Sequence, residues 1–312
     1  MKRLRLNVLL GLIFVVMSLT GATQHVNAND STDDMNAVSS ADLIIFVEHY
    51  ADEGQLTSEL AVRALTMHLT AVQHYEQQGQ KEKVIEHLNS FKLLLDQQME
   101  LETMTEQAYN SLMSHTEAVI LQWNVVAIIT DGEAQAVIVT ASDASDQIQA
   151  AAEELAEYVS KSTGAELPIL TPEENWPEDL IPIYVGLPAP NAESHMADQL
   201  DGFVEDGYVI HPTESDITIM GPEEIGTQYG VYEFLERYIG VRWLMPGEVG
   251  EDVPQHTNLE IPIQDVRDEP IYLSRNMYPL HFEGAGADLP ERYEWGVHNR
   301  LREQNNGGTH NV

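Results

Sequence analysis

The sequence contains no cysteine. This absence excludes disulfide bonds, iron–sulfur clusters, thiolate nucleophiles and zinc sites with cysteine ligands. Basic residues are scarce, because the 312 residues include 15 Lys and Arg against 51 Asp and Glu, for a formal net charge of -36 at pH 7. A chain this acidic lacks the positive surface that binds nucleic-acid phosphates or anionic membranes, so we predict neither kind of partner.

An apolar run near the N-terminus indicates that the protein is exported from the cell. Val8–Met17 has ten residues, whereas a bilayer span needs about 20. Basic residues precede this run, and small residues ending at Ala28 resemble a signal-peptidase site. We therefore interpret residues 1–28 as a signal peptide and expect secretion, with no membrane contact after cleavage. An uncleaved anchor is the alternative, and the polar residues 29–40 are predicted to be a linker.

Between Ala41 and Gln122 proline is absent and apolar residues recur at helical spacing. This spacing predicts four amphipathic helices, with Thr57 and Thr105 as N-caps, and the short connections predict a helical bundle over residues 41–122. We interpret the histidines of this bundle as polar helix positions rather than a metal site, because none has the spacing of a zinc helix. They are His49, His68, His74, His87 and His115.

Several segments of this bundle carry a family resemblance. They are Phe46-Val47-Glu48-His49-Tyr50, Gly54-Gln55-Leu56, the helix from Ala64 to Leu69, and Lys83–Phe91. Together they resemble the FIMAH domain of secreted proteins from Gram-positive bacteria. The resemblance implies an accessory module without known chemistry in a multidomain protein, and a contact with the cell wall or another protein through the helices.

After Trp123 the pattern changes to short β-type runs separated by turn residues. Two amphipathic stripes predict helices that end at Gly164 and Gly240. Asp131-Gly132 predicts a hairpin joining strands 125–129 and 136–139. We therefore predict an α+β sandwich over residues 123–264, with a mixed or antiparallel sheet and two helices. We also expect limited proteolysis to leave a stable core that begins near Asn124.

Gly221 and Gly226 stand between a predicted strand and a predicted helix, which is a position where phosphate binds in some folds. Glu223 and Glu224 lie between the two glycines and would repel phosphate, and no phosphate-binding glycine motif is present. We interpret the segment as a strand-to-helix turn.

The second half of the chain carries a further resemblance, to glycoside hydrolases. Its residues are Ala151–Leu155, Ser162-Thr163-Gly164, Gly226–Leu244, Pro246-Gly247-Glu248 and Glu251-Asp252-Val253-Pro254. They resemble the N-terminal α+β domain that precedes the barrel in family 67 α-glucuronidases and family 20 hexosaminidases. They are also similar to the secreted bacterial family called domain of unknown function 4838, which carries the same domain, and the resemblance covers residues 123–312.

This resemblance implies that residues 265–312 begin a (β/α)8 barrel. In the related hydrolases the first barrel strand ends in an arginine that binds sugar hydroxyls, and Arg275 matches that position. The same resemblance places His310 after the second barrel strand, within reach of substrate. The alternative interpretation is that His310 belongs to a frayed chain terminus without a functional role. A complete barrel takes about 250 residues, so we expect this chain to be the N-terminal fragment of a longer protein, with an incomplete barrel.

Glycoside hydrolysis requires two carboxylates that flank the scissile bond. In the related families later barrel strands supply them, so we expect the catalytic residues beyond residue 312 and no activity in this chain alone. We predict no cofactor and no metal. The predicted function is the accessory part of a secreted glycoside-hydrolase-like protein that acts on poly- or oligosaccharide. The alternative is a secreted carbohydrate-binding or cell-surface adhesion protein without turnover. We interpret Trp243 as a residue of core and interdomain packing, and an exposed ring that stacks on sugar is the other reading.

Overall fold

A computed structural model of the chain describes residues 39–190, 192–272, 274–275 and 290–302. The predicted signal peptide, all but the last two residues of the predicted linker, and His310 lie outside these residues. Within the described ranges, no helix combines the length and the apolar character that crossing a bilayer requires.

The first part of the structure is helical, as predicted. Leucines at the helical spacing are fully buried in one core, among them Leu65, Leu69, Leu88 and Leu112. Each helix packs on the next, and the fourth also packs on the first. The helices are α1 (Ser40–Asp52), α2 (Glu59–Gln77), α3 (Lys81–Glu100) and α4 (Glu106–Trp123).

Side-chain caps begin three of these helices, because the first N–H groups of a helix have no partner within it. Thr105 caps α4, as predicted. The prediction of Thr57 as a cap was wrong, since the neighbouring Ser58 accepts the hydrogen bond from the Ala61 N–H at 3.2 Å. Ser39 caps α1, so the helix begins inside the stretch that was predicted to be a linker.

The second part is an α+β domain with a mixed sheet, also as predicted. Its elements are β1 (Val125–Thr130), β2 (Glu133–Ala134), β3 (Ala136–Val139), α5 (Asp146–Thr163), β4 (Ile169–Leu170), β5 (Ile181–Val185), α6 (Glu193–Leu200), β6 (Tyr208–Pro212), β7 (Ile217–Met220), α7 (Glu224–Phe234), β8 (Arg242–Trp243), β9 (Glu251–Asp252), β10 (Leu259–Pro262), β11 (Val266–Asp268) and α8 (Pro290–His298).

The main sheet has the strand order β11-β6-β7-β5-β3-β4. Strands β7, β5, β3 and β4 run parallel to one another, whereas β6 pairs antiparallel with β7 and β11 pairs antiparallel with β6. Smaller antiparallel sheets have the orders β10-β1-β2 and β8-β9.

The predicted hairpin between strands 125–129 and 136–139 was wrong. The Asp131-Gly132 turn joins β1 only to the two-residue β2, and β3 enters the main sheet. All four residues of β3 are fully buried. An apolar run buried on both faces belongs in the middle of a sheet covered on both sides, and this burial outweighed the local turn signal.

Besides the two-residue strands β2, β8 and β9, two elements of this domain were not predicted. α6 is a third helix where two were expected, and it buries only Met196, so it has little apolar periodicity to recognise. β11 is a polar strand at the sheet edge that pairs with β6. The main sheet therefore continues to Asp268, past the predicted domain boundary at residue 264.

The turn between β7 and α7 packs tightly against the backbone. A Cβ atom at Gly226 would lie 2.2 Å from the carbonyl oxygen of Gly207, and one at Gly221 would lie 2.6 Å from the same atom. Only glycine fits at this distance. The segment is a strand-to-helix turn, as interpreted from the sequence, and its glycines allow the Gly207 carbonyl to approach closely.

The two parts of the chain meet without a flexible linker. Only Asn124 separates α4 from β1, and its carbonyl oxygen accepts a hydrogen bond from the Ile263 N–H at 2.7 Å. Lys81 Nζ in the bundle donates to the carbonyl oxygen of Val125 at 2.7 Å. The junction is therefore held by hydrogen bonds on both sides.

Candidate functional site

Arg275, which the resemblance nominates as a sugar contact, lies among ion pairs in the structure. Its Nη2 atom lies 2.7 Å from Oδ2 of Asp206, a carboxylate that is fully buried. Its Nε donates to the carbonyl oxygen of Arg300 at 2.8 Å, and its backbone pairs with that of Arg302. Its Nη1 donates to the carbonyl oxygen of Tyr272, so all three guanidinium nitrogens are engaged, and the side chain is 18% exposed.

Two more arginines extend this set. Arg302 binds the other oxygen of Asp206 and also Glu205. Arg300 binds Glu236 at 2.6 Å and Glu233 at 3.0 Å. Because a buried carboxylate is costly unless it is paired, the guanidinium partners stabilise Asp206. We call this set the arginine cluster: Glu205, Asp206, Glu233, Glu236, Arg275, Arg300 and Arg302.

An aromatic group lies beside the arginine cluster and encloses His298, the last residue of α8. The His298 ring stacks on Trp243, with centroids 4.4 Å apart, and meets Tyr232 edge-on at 4.8 Å. Its Nε2 atom lies 3.2 Å from Oε2 of Glu154. His298 is 3% exposed. We call Tyr158, Tyr232, Trp243 and His298 the aromatic cage.

Hydrogen bonds orient the rings of the cage. Trp243 Nε1 donates to Tyr158 Oη at 2.7 Å, and Tyr158 Oη donates to Glu251 Oε1 at 2.9 Å. Burial raises the pKa of Tyr158 and Tyr232 well above the usual range, so both hydroxyls stay protonated donors. Trp243 is 5% exposed, so the reading of this ring as a sugar platform was wrong and the packing interpretation is supported.

The described residues contain one group that brings three possible metal ligands within 4.8 Å of one another: His195, His211 and Asp265. His195 lies on α6, His211 on β6, and Asp265 just before β11. The prediction of no metal considered only the bundle histidines. Asp265 is 54 residues from His211 and 70 from His195, so no spacing in the sequence could have signalled the group.

The bundle histidines contact different partners within the bundle, and two of them, His68 and His87, contact each other. His68 Nε2 lies 2.8 Å from the carbonyl oxygen of His87, and His115 Nδ1 lies 2.7 Å from that of Ser111. His49 pairs with Glu53, and His74 contacts Gln78. These contacts agree with their interpretation as polar helix positions.

Two family models match parts of the chain. Residues 40–121 match the FIMAH domain, and residues 129–234 match the N-terminus of glycosyl hydrolase family 67. These matches confirm the resemblance to the FIMAH domain and, over residues 129–234, the resemblance to the N-terminal domain of family 67. No curated protein matches the chain. Membership in the family of the domain of unknown function 4838, the signal peptide and the status as a fragment stay predictions.

Similar solved structures are much larger proteins. The GH20 β-N-acetylhexosaminidase from Streptomyces coelicolor A3(2) is 20% identical with a TM-score of 0.32, over 48% of this chain and 24% of that one. A family GH115 4-O-methyl-α-glucuronidase with specificity for decorated arabinogalactans is 13% identical with a TM-score of 0.31, over 48% and 19%. Flavobacterium johnsoniae chitobiase is 14% identical with a TM-score of 0.30, over 49% and 21%. The chain spans a quarter or less of each.

Proposed function

We propose that this chain is the N-terminal accessory part of a secreted glycoside-hydrolase-like protein that acts on poly- or oligosaccharide, and that it is not catalytic by itself. The observation that carries the proposal is the match of residues 129–234 to the N-terminus of glycosyl hydrolase family 67. The ion pairing of the carboxylates in the arginine cluster supports the proposal that the chain is not catalytic by itself. Glu205, Asp206, Glu233 and Glu236 are ion-paired with arginines, which is a structural use and not that of a general acid.

The geometry supports a docking role for the α+β domain. α8 is anchored at its end by His298 in the aromatic cage, and the residues after it by Arg300 and Arg302 in the arginine cluster. By resemblance α8 is the first helix of the barrel. We therefore propose that the domain holds the start of a following barrel in a defined orientation.

The loop after β8 lies next to α8, since a Cβ atom at Gly247 would lie 3.3 Å from Oε2 of Glu291. This loop exposes Leu244, Met245 and Val249, the last at 94%. Apolar side chains grouped in this way favour contact with another protein surface. The occupant we propose is the remainder of the barrel.

The test compares this chain with the longer gene product on chromogenic glucuronides and N-acetylglucosaminides. The longer protein should hydrolyse at least one of them, and this chain should hydrolyse none. Hydrolysis by this chain that persists through purification would overturn the non-catalytic assignment.

The proposed secretion has its own test. Mass spectrometry of the secreted protein should find Asn29 as its first residue, and a mature protein that keeps Met1 would contradict the signal peptide.

Sugar contact by Arg275 and His310 belongs to the same proposal. For Arg275, such contact requires the guanidinium to share or leave Asp206. In the longer protein, Arg275→Ala should reduce kcat/KM by the equivalent of about 1.5–3 kcal/mol, the range for a hydrogen bond to a charged group. Unchanged kinetics would leave Arg275 with a docking role only.

A secreted carbohydrate-binding protein without turnover is the second candidate. It is favoured by Tyr272 and Tyr293, which are 73% and 76% exposed, because exposed tyrosine rings can stack on sugars. Affinity electrophoresis in gels that contain polysaccharide distinguishes the two. Retardation that is lost in Tyr272→Ala and Tyr293→Ala, in a longer protein without hydrolytic activity, would select this candidate.

A further inference from the structure

Three side chains from separate elements meet at the polar edge of the main sheet. His211 Nδ1 lies 2.6 Å from Oδ1 of Asp265, and His195 Nε2 lies 3.3 Å from Oδ2 of the same carboxylate. The two imidazole rings lie side by side, with centroids 4.3 Å apart. Two imidazoles thus converge on one carboxylate from different directions.

The backbone holds two of these residues opposite each other. β11 pairs antiparallel with β6, with Val266 opposite Ile210. One step further along the two strands places Asp265 opposite His211. Side chains at such cross-strand positions have Cβ atoms about 4.5–5.5 Å apart, so the sheet register brings this carboxylate and this imidazole together.

The third residue is positioned by an arginine of the same edge strand. Arg267 Nε donates to the carbonyl oxygen of Gln199 at 2.7 Å, and Arg267 Nη2 to that of Asp201 at 3.1 Å. These carbonyls are at the C-terminal end of α6, where a cation is favourable. Arg267 thereby ties α6, which carries His195, to the strand that follows Asp265.

The donor set selects the type of ion. Two imidazole nitrogens with one carboxylate are a ligand set of zinc and related divalent transition ions, whereas magnesium and calcium prefer oxygen ligands. The side chains are 42%, 19% and 35% exposed for His195, His211 and Asp265, which leaves room for a water molecule as a further ligand. The net charge of -36 also favours the approach of a cation.

We propose that His195, His211 and Asp265 form a binding site for a divalent transition ion of the zinc type. The ion joins α6 to the β6–β11 edge of the sheet. This inference does not depend on the proposed glycoside-hydrolase role, because it concerns residues and a ligand that the accessory function does not use.

The test is titration of the full chain, prepared without a histidine tag, with Zn²⁺ in a calorimeter and with Co²⁺ by visible absorption. One equivalent should bind, the Co²⁺ spectrum should report nitrogen ligands, and the melting temperature should rise with added Zn²⁺, because the ion binds the folded state. His211→Ala and Asp265→Asn should each weaken binding by at least about tenfold, which even second-shell changes cost at metal sites.

His74→Ala is the matched control, because His74 is an exposed histidine on α2 and should bind as the unaltered chain does. Far-UV circular dichroism checks that each variant is folded. If His211→Ala is misfolded, Asp265→Asn decides, since it keeps the size of the side chain. Binding that survives both substitutions, or that His74→Ala weakens equally, would overturn the site in favour of adventitious binding by surface histidines.

Discussion

At the scale of single residues, Asp206 is the carboxylate on which the arginine cluster depends. It has no exposed surface and is paired with both Arg275 and Arg302. Removing one partner from a buried ion pair leaves the others without compensation. The two arginines are partly exposed, so water can offset some of that loss.

We expect Asp206→Asn to lower the free energy of unfolding by about 1.5–3 kcal/mol, the range for hydrogen bonds to charged groups. Urea unfolding of the full chain measures this change. Asp143→Asn is the control, because Asp143 is exposed and such substitutions usually change stability by less than about 0.5 kcal/mol. Equal unfolding midpoints for the two variants would show that the cluster contributes nothing.

His298 is the residue that anchors α8 in the aromatic cage. Removing its ring leaves a cavity beside Trp243 and takes one partner from Glu154. We expect His298→Ala to cost about 2–4 kcal/mol, as other large-to-small changes in cores do. Tryptophan fluorescence should shift to the red as Trp243 becomes hydrated, and a spectrum identical to that of the unaltered chain would contradict the anchoring role.

At the scale of elements, the junction between α4 and β1 differs from the expectation of a protease-sensitive boundary. A single residue, Asn124, connects them, and it is hydrogen-bonded to Ile263. Proteolysis requires local unfolding of the backbone around the cut site. The hydrogen-bonded junction should therefore resist proteolysis as long as β10 stays paired in its sheet.

We expect limited proteolysis to spare residues 122–126 and to cut first in exposed loops such as 172–175. Peptide mapping by mass spectrometry identifies the early cuts. Lys81→Met is a useful comparison, because it removes the hydrogen bond to Val125 and should make the junction cleave sooner. Early cleavage at Asn124 in the unaltered chain would restore the interpretation of two loosely tethered parts.

At the scale of the whole molecule, buried tyrosines govern the response to alkaline pH. Burial raises the pKa of Tyr238 to about 12, and that of Tyr158, Tyr208 and Tyr232 further. In the unfolded chain a tyrosine titrates near pH 10. Above that pH the unfolded state gains stability by ionising, and the folded state does not.

The stability that these tyrosines provide is therefore complete below about pH 10 and is lost progressively as the pH rises from about 10 to 12 and above. We expect phenolate absorbance and far-UV circular dichroism to change together in that interval. Repeating the titration in high salt screens the repulsion among carboxylates and isolates the tyrosine contribution. Complete tyrosine ionisation with an unchanged dichroism spectrum would contradict burial of these hydroxyls.

The sequence by itself determined the features that arise within one element. The apolar stripe of α5 and the left-handed Gly164 that ends it follow from local backbone preferences. The helical part and its change to an α+β domain near Trp123 were readable for the same reason. Each of these signals lies within a few residues of the structure it specifies.

Only the tertiary structure decided which distant residues meet. β3 pairs in the main sheet and not in the predicted hairpin, because burial on both of its faces outweighed the local turn signal. Asp206 met Arg275, 69 residues away, and His211 met Asp265, 54 residues away. Neither contact corresponds to a periodic pattern in the sequence, because strand order and register set the distance between residues that are far apart in sequence.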